Sequence, residues 1–166
     1  WGQAIDPHAA WLIDRGMRTL SIRMERHNAN GMAVAQWGER HPGISKVHYP
    51  GLPTHPDHEY AKSTLNGFGG MVGLELKGGA KAAEKLLKRL KLITHAPSLS
   101  GVETLVSEPR LTPHKSIRPD GRATIGIPDC FTPLSCASTT AVDNLGDLDA
   151  GLRSARGPGA VWRGAA

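Results

Sequence analysis

The sequence predicts a mixed α/β or α+β sandwich, and three observations predict it. Helix-periodic stretches alternate with short apolar runs along the chain, the pattern of one sheet with helices packed against it. Breakers such as Pro50-Gly51, Gly69-Gly70 and Gly78-Gly79 fall where one period gives way to the other. A chain of 166 residues, 39% hydrophobic and 21% charged, is long enough to bury one core and ordinary in composition for a globular domain. Its 20 glycines and 12 prolines predict many irregular connections.

Asp6 before Pro7 reads as a helix start, an N-cap carboxylate followed by a residue that needs no N–H, and Ala9, Ala10, Leu12 and Ile13 carry that helix to Gly16. A longer helix is predicted from about Arg18 to Arg40, weakened in its middle by Asn28, Asn30 and Gly31, where a kink costs least. His41-Pro42-Gly43 ends it. The stretch from Val47 to Leu76 organises the rest. Ile44 to Tyr49 reads as a strand, prolines 50, 53 and 56 lock an extended loop, and a short helix with Tyr60, Ala61 and Leu65 stops near Asn66-Gly67. Pro56 suits that helix's first position, with Asp57 and Glu59 in its first turn. Met71 to Leu76 forms a second strand, and Ala80 to about Leu90 a basic amphipathic helix.

Beyond it, Val102 to Val106 is a strand candidate, Pro109 to Pro119 reads as loop, and Arg118 to Thr124 as one or two helical turns. Phe131 to Ala137 reads as a strand at an edge or distorted, because Pro133 cannot donate to a ladder. Val142, Leu145, Leu148 and Leu152 recur at helical spacing. From about Ser154 the chain is a loose tail in which Trp162 has no evident role.

The net charge of +5 is concentrated in Lys77, Lys81, Lys85, Lys88, Arg89 and Lys91. No aromatic residue interleaves them, so they read as a solvated or partner-contacting face rather than a nucleic-acid platform. No apolar run reaches the roughly 18 residues of a membrane helix. The start, WGQAIDPHAAW, has neither half of a signal peptide and no methionine, so it reads as beginning in mid-pattern. Two cysteines are too few for a disulfide scaffold, so a reducing cytoplasm is the expected compartment.

Chemistry-bearing residues are sparse. His55 and His58, with His48 near, lack a third ligand at a recognised spacing, and no metal site is expected. No phosphate-loop or nucleophile-elbow motif is present; Gly67-Phe68-Gly69-Gly70 leads into a strand rather than a helix N-terminus. Cys130 and Cys136 have no evident base. Ser98 lies in a small-residue loop, PSLSG, which reads either as a tight turn or as a loop that lets backbone N–H groups approach an anionic ligand.

The phrases AAWLIDRGMRTLSIRMERH, HYPGLPTHPDHEYAK, GFGGMVGLELKGG and PSLSGVETL, in this order, resemble the Cys/Met-metabolism (trans-sulfuration) family of pyridoxal-phosphate enzymes, closely over residues 1 to 128 and loosely over 141 to 152. The resemblance implies a C-terminal domain over residues 1–153 followed by a tail at 154–166. Its implied fold is the small domain of the aspartate-aminotransferase-like class: a mostly antiparallel sheet with helices on one side and a long N-terminal helix. It implies pyridoxal phosphate as cofactor, sulfur amino acids or homoserine esters as substrates, and a homo-oligomer completed by a cofactor-bearing domain. No lysine here falls in the family's cofactor motif, so no catalytic or cofactor-binding residue is assigned to this chain.

What the resemblance does assign is substrate binding, to Ser98 and the following Leu99, with Ser100 in place of a family glycine. The family's carboxylate-binding arginine corresponds to Pro133, which has no donor, and its threonine-histidine pair to Pro113-His114 with Thr112 one place earlier. Residues 130 to 140, CFTPLSCASTT, also lack the usual glycine and acidic residue. Two readings follow: the C-terminal domain of a lyase or transferase, not competent alone, or a catalytically inactive truncated paralogue serving as a structural or oligomerisation module. A basic nucleic-acid adaptor is a distant third.

Overall fold

The computed structural model describes residues 4–99, 101–109 and 116–155. Helices α1 (Pro7–Met17) and α2 (Leu20–Arg40) lead into strand β1 (Ile44–His48), helix α3 (His58–Thr64), strand β2 (Met71–Leu76) and helix α4 (Gly79–Leu87). Short strands β3 (Thr94–His95) and β4 (Leu105–Val106), helix α5 (Pro119–Thr124), strand β5 (Phe131–Ser135) and helix α6 (Ala141–Ala155) follow among the described residues. The five strands form one sheet in the order β1-β2-β5-β4-β3, antiparallel except for β3 against β4. The predicted class, a mostly antiparallel sheet with helices on one side and a long N-terminal helix, is what is found.

Asp6 caps α1 as its position predicts, its carboxylate accepting the N–H groups of His8 and Ala9 at 3.0 and 3.1 Å. Along β2 the side chains of Val72, Leu74 and Leu76 are buried and face the helices, whereas Met71 is exposed and Glu75 half-buried on the other side. Ile44, Val34, Leu86, Leu134 and Leu148 join that core, so α2, α4 and α6 cover one face of the sheet. Gly38 lets α2 lie close, for a Cβ there would come within 2.9 Å of Val47. Gly78 and Gly79, both at positive φ (102° and 68°), turn β2 into α4.

Several expectations are corrected. β5 is the central strand, not an edge strand. Even-numbered residues of β5 bond to β2, as Cys136 N–H to Gly70 O shows, so Pro133 turns its nitrogen toward β4. There Ser107 N–H still reaches Pro133 O at 3.1 Å, and only the reciprocal bond is lost, just past the end of a two-residue strand. The strand candidate at Val102 shrinks to Leu105–Val106, and β3 pairs beside it, unanticipated. Helix α3 begins at His58, after Pro56, and leaves Tyr60 and Leu65 exposed, burying only Ala61. The last helix continues to Ala155, through the predicted start of the tail. Thr112, Pro113, His114, Ser100 and the tail beyond 155 lie outside the described residues.

Candidate functional site

The middle of α2 organises the surroundings of the candidate site. Asn30 is buried, and its amide donates to the carbonyls of both Ala137 and Thr139 at 2.5 Å. Asn28 accepts the N–H of Gly69 at 2.7 Å, and the Tyr49 hydroxyl donates to Gly69 O at 2.8 Å. Gly31 sits where a Cβ would lie 2.6 Å from that same carbonyl. The residues that read as a weak point of the helix therefore hold the Gly67–Gly70 loop and the end of β5 against it, and α2 runs through them unbroken. Polarity at buried helical spacing was the available signal, since buried Asn must be hydrogen-bonded.

The helix-free face of the sheet carries a second arrangement. His48, Gly73 and Pro133 lie in one row across β1, β2 and β5. The Phe131 ring covers Gly73, where a Cβ would meet it at 2.5 Å, and packs edge-on to His48 with centroids 5.5 Å apart. His48 Nε2 lies 2.6 Å from Glu75 Oε1. This pair was invisible in the sequence because it depends on the register of β1 against β2. Pro133 stands on this face with no side-chain donor to offer.

The other residues singled out from the sequence are dispersed. Ser98 is exposed and Leu99 is 60% exposed, in irregular chain after β3. His58 Nδ1 is 2.8 Å from Pro50 O with its ring stacked on Phe68, while His55 Nδ1 accepts the Asp57 N–H. Neither joins His48, and among the described residues no three His, Cys, Asp or Glu side chains are grouped to hold a metal. Burial pushes the Cys136 thiol up to about 12, and burial followed by the Glu75 charge raises Cys130. Neither thiol is poised as a nucleophile.

Pyridoxal phosphate needs an enclosed amine to hold its aldehyde. Every lysine among the described residues is exposed, including the two that α4 carries, Lys81 and Lys85. The described residues therefore do not fit that cofactor as anchors. The described helices include none long and apolar enough to cross a membrane.

Residues 1–153 match the family described as Cys/Met metabolism PLP-dependent enzyme. The chain is 44% identical over 151 residues to cystathionine beta-lyase of Coxiella burnetii, covering 91% of this chain and 39% of that protein. It is 44% identical over 157 residues to human cystathionine gamma-lyase, covering 95% and 39%. A crystal structure of cystathionine gamma-lyase from Lactobacillus plantarum, complexed with L-serine, superposes with a TM-score of 0.85 at 36% identity, over 92% of this chain and 40% of that one. The chain spans about two fifths of the length of the relatives it matches.

Proposed function

This chain belongs to the Cys/Met metabolism PLP-dependent enzyme family, and from that premise we propose that it is the C-terminal domain of an enzyme that eliminates or replaces groups on sulfur amino acids or homoserine esters. In this reading residues 1–153 form the domain. Ser98 and Leu99 border the substrate-carboxylate side of the pocket, and a cofactor-bearing domain, in a homo-oligomer, supplies the chemistry. The chain alone is not competent. The observation that carries the reading is the extent of the likeness: 92% of this chain superposes on only 40% of a lyase. The exposed lysines support the same conclusion from the side of the chemistry.

Helix α1 adds a physical argument. It buries none of its residues, and Trp11, Leu12, Ile13 and Met17 are all 48% exposed or more. An 11-residue helix with no packed face is marginal in water. An apolar stripe of this kind marks a surface that further protein covers.

The test is to add pyridoxal phosphate to the purified chain, reduce with borohydride and map the product. The expected result is no stoichiometric labelling at a single lysine, and no turnover with cofactor and substrate alone. Specific labelling or turnover refutes the reading.

The second reading, an inactive truncated paralogue, is favoured by Pro133. Fusing this chain to the remaining three fifths of a cystathionine gamma-lyase distinguishes the two. In the fusion, Pro133→Arg should tighten amino-acid binding by the roughly 1.5–3 kcal/mol of a charged hydrogen bond. Activity without that substitution favours the first reading, and activity only with it favours the second. An unchanged affinity shows that Pro133 does not occupy the carboxylate position.

A further inference from the structure

We propose that His41 is an acid-operated latch: neutral, it holds the turn between α2 and β1 closed, and protonated, it releases that turn and pairs with α6. None of its groups belongs to the site considered above, and the proposal does not rest on the reading given there.

His41 is the C-cap residue of α2 and is only 7% exposed. Its Nδ1 accepts the N–H of buried Gly43 at 3.1 Å. A ring nitrogen that accepts carries no proton, so the neutral imidazole bears its single proton on Nε2. That nitrogen faces Asp149 Oδ1 of α6 at 3.4 Å, longer than a good hydrogen bond. The other oxygen of the carboxylate is held by Arg153 Nε at 2.8 Å, which fixes Asp149 toward the ring. The Trp37 ring packs on the imidazole with centroids 4.5 Å apart. A pocket of about 200 Å³, lined by Trp37, Arg40, His41, Asp149 and Arg153, brings solvent to the pair.

The bond to Gly43 cannot survive a second proton. A proton on Nδ1 would meet the Gly43 N–H donor against donor, in a place where an unpaired polar group is costly. The imidazolium therefore leaves Gly43, and the Asp149 carboxylate is the acceptor already beside it. Asp149 and the C-terminal end of α2 favour the positive charge, whereas Arg40 and Arg153 oppose it. What the latch holds is the entry to the sheet. Gly43 O accepts the Lys77 N–H at 2.9 Å, and the Ile44 N–H reaches His41 O at 3.0 Å, so this turn sets β1 against β2. β1 is the last strand of the sheet on that side, and its release loosens an edge while the central strands stay paired.

The experiment follows the 166-residue chain by NMR from about pH 8 to about pH 5, the range in which imidazoles titrate. Ring nitrogen shifts read the tautomer and the titration of His41, and the hydrogen-exchange protection factor of the Gly43 amide reads the turn. The expected result is a neutral ring protonated on Nε2, and a Gly43 protection factor that falls at least tenfold with the same midpoint as the His41 ring. Asp149→Asn, which removes the charge from a half-buried site without removing the side chain, moves both midpoints together to lower pH. His27→Gln leaves the Gly43 profile where it was. A Gly43 amide that stays protected throughout the titration of His41 overturns the proposal, and so does a neutral ring protonated on Nδ1. An Asp149→Asn midpoint at or above that of the parent chain removes α6 as the partner in acid. A Gly43 transition that disappears in His27→Gln places the switch at the other buried histidine of α2, and the proposal fails.

Discussion

Gly31→Ala sets two opposed effects against each other, and the structure decides the sign. Alanine in a helix interior is favoured over glycine by about 1 kcal/mol. At Gly31 the added Cβ would lie 2.6 Å from Gly69 O, 3.0 Å from the Tyr49 hydroxyl and 3.3 Å from Gly70 Cα. Two of these neighbours are backbone, so α2 or the Gly67–Gly70 loop must move. Overpacking of this kind costs about 1–3 kcal/mol. The displaced carbonyl also accepts the Tyr49 hydroxyl at 2.8 Å, and leaving a buried partner unsatisfied costs about 1–3 kcal/mol more. The net expectation is a loss of about 2 kcal/mol. Urea denaturation reads it directly: with a slope near 2 kcal/mol/M, the midpoint falls by about 1 M. Gly146→Ala is the control. It lies within α6 and a Cβ there meets nothing within 4 Å, so the helix term acts alone and the midpoint rises by about 0.5 M. A Gly31→Ala midpoint at or above that of the parent chain would refute the claim that this glycine is there for close approach.

Asn30→Leu keeps the branched shape but strands the carbonyls of Ala137 and Thr139, so a loss of about 3 kcal/mol is expected; a change under 1 kcal/mol in the same denaturation assay contradicts the clamp. His27 is held below its ordinary range, first by burial and then by the Arg23 charge. The unfolded chain therefore binds that proton more readily, and the stability His27 contributes is complete above pH about 6.5 and lost as the pH falls from there. His27→Gln should flatten the dependence of the urea midpoint on pH between about 7 and 5, and parallel profiles for parent and variant would rule the assignment out. Native-state thiol labelling should react with half-exposed Cys130 slowly and leave Cys136, fully buried and pushed up to about 12, unlabelled until denaturant is added. Equal labelling of both in native buffer would show that β5 opens locally.

What was legible in the sequence is local. The Asp6-Pro7 start of α1, the span of β2 from Met71 to Leu76, and the glycine pair at 78 and 79 are written in neighbouring residues, because caps, breakers and period-two alternation act over a few positions. The four family motifs, though spread along the chain, are each local strings as well, and they carried the family. Ser98 and Leu99 were named from such a string, and the structure sets them in exposed, irregular chain after β3.

The tertiary structure decided the rest. Pro133 argued for an edge, yet β5 lies at the centre, because the one donor a proline lacks falls past the end of the two-residue β4. Asn28, Asn30 and Gly31 argued for a kink, yet they join α2 to loops 41 and 107 residues away. The His48–Glu75 pair brings together residues 27 positions apart. Propensity and capping are properties of one segment, so a sequence displays them. Register, burial and the satisfaction of buried polar groups are properties of segments packed together, and they exist only once the core has closed.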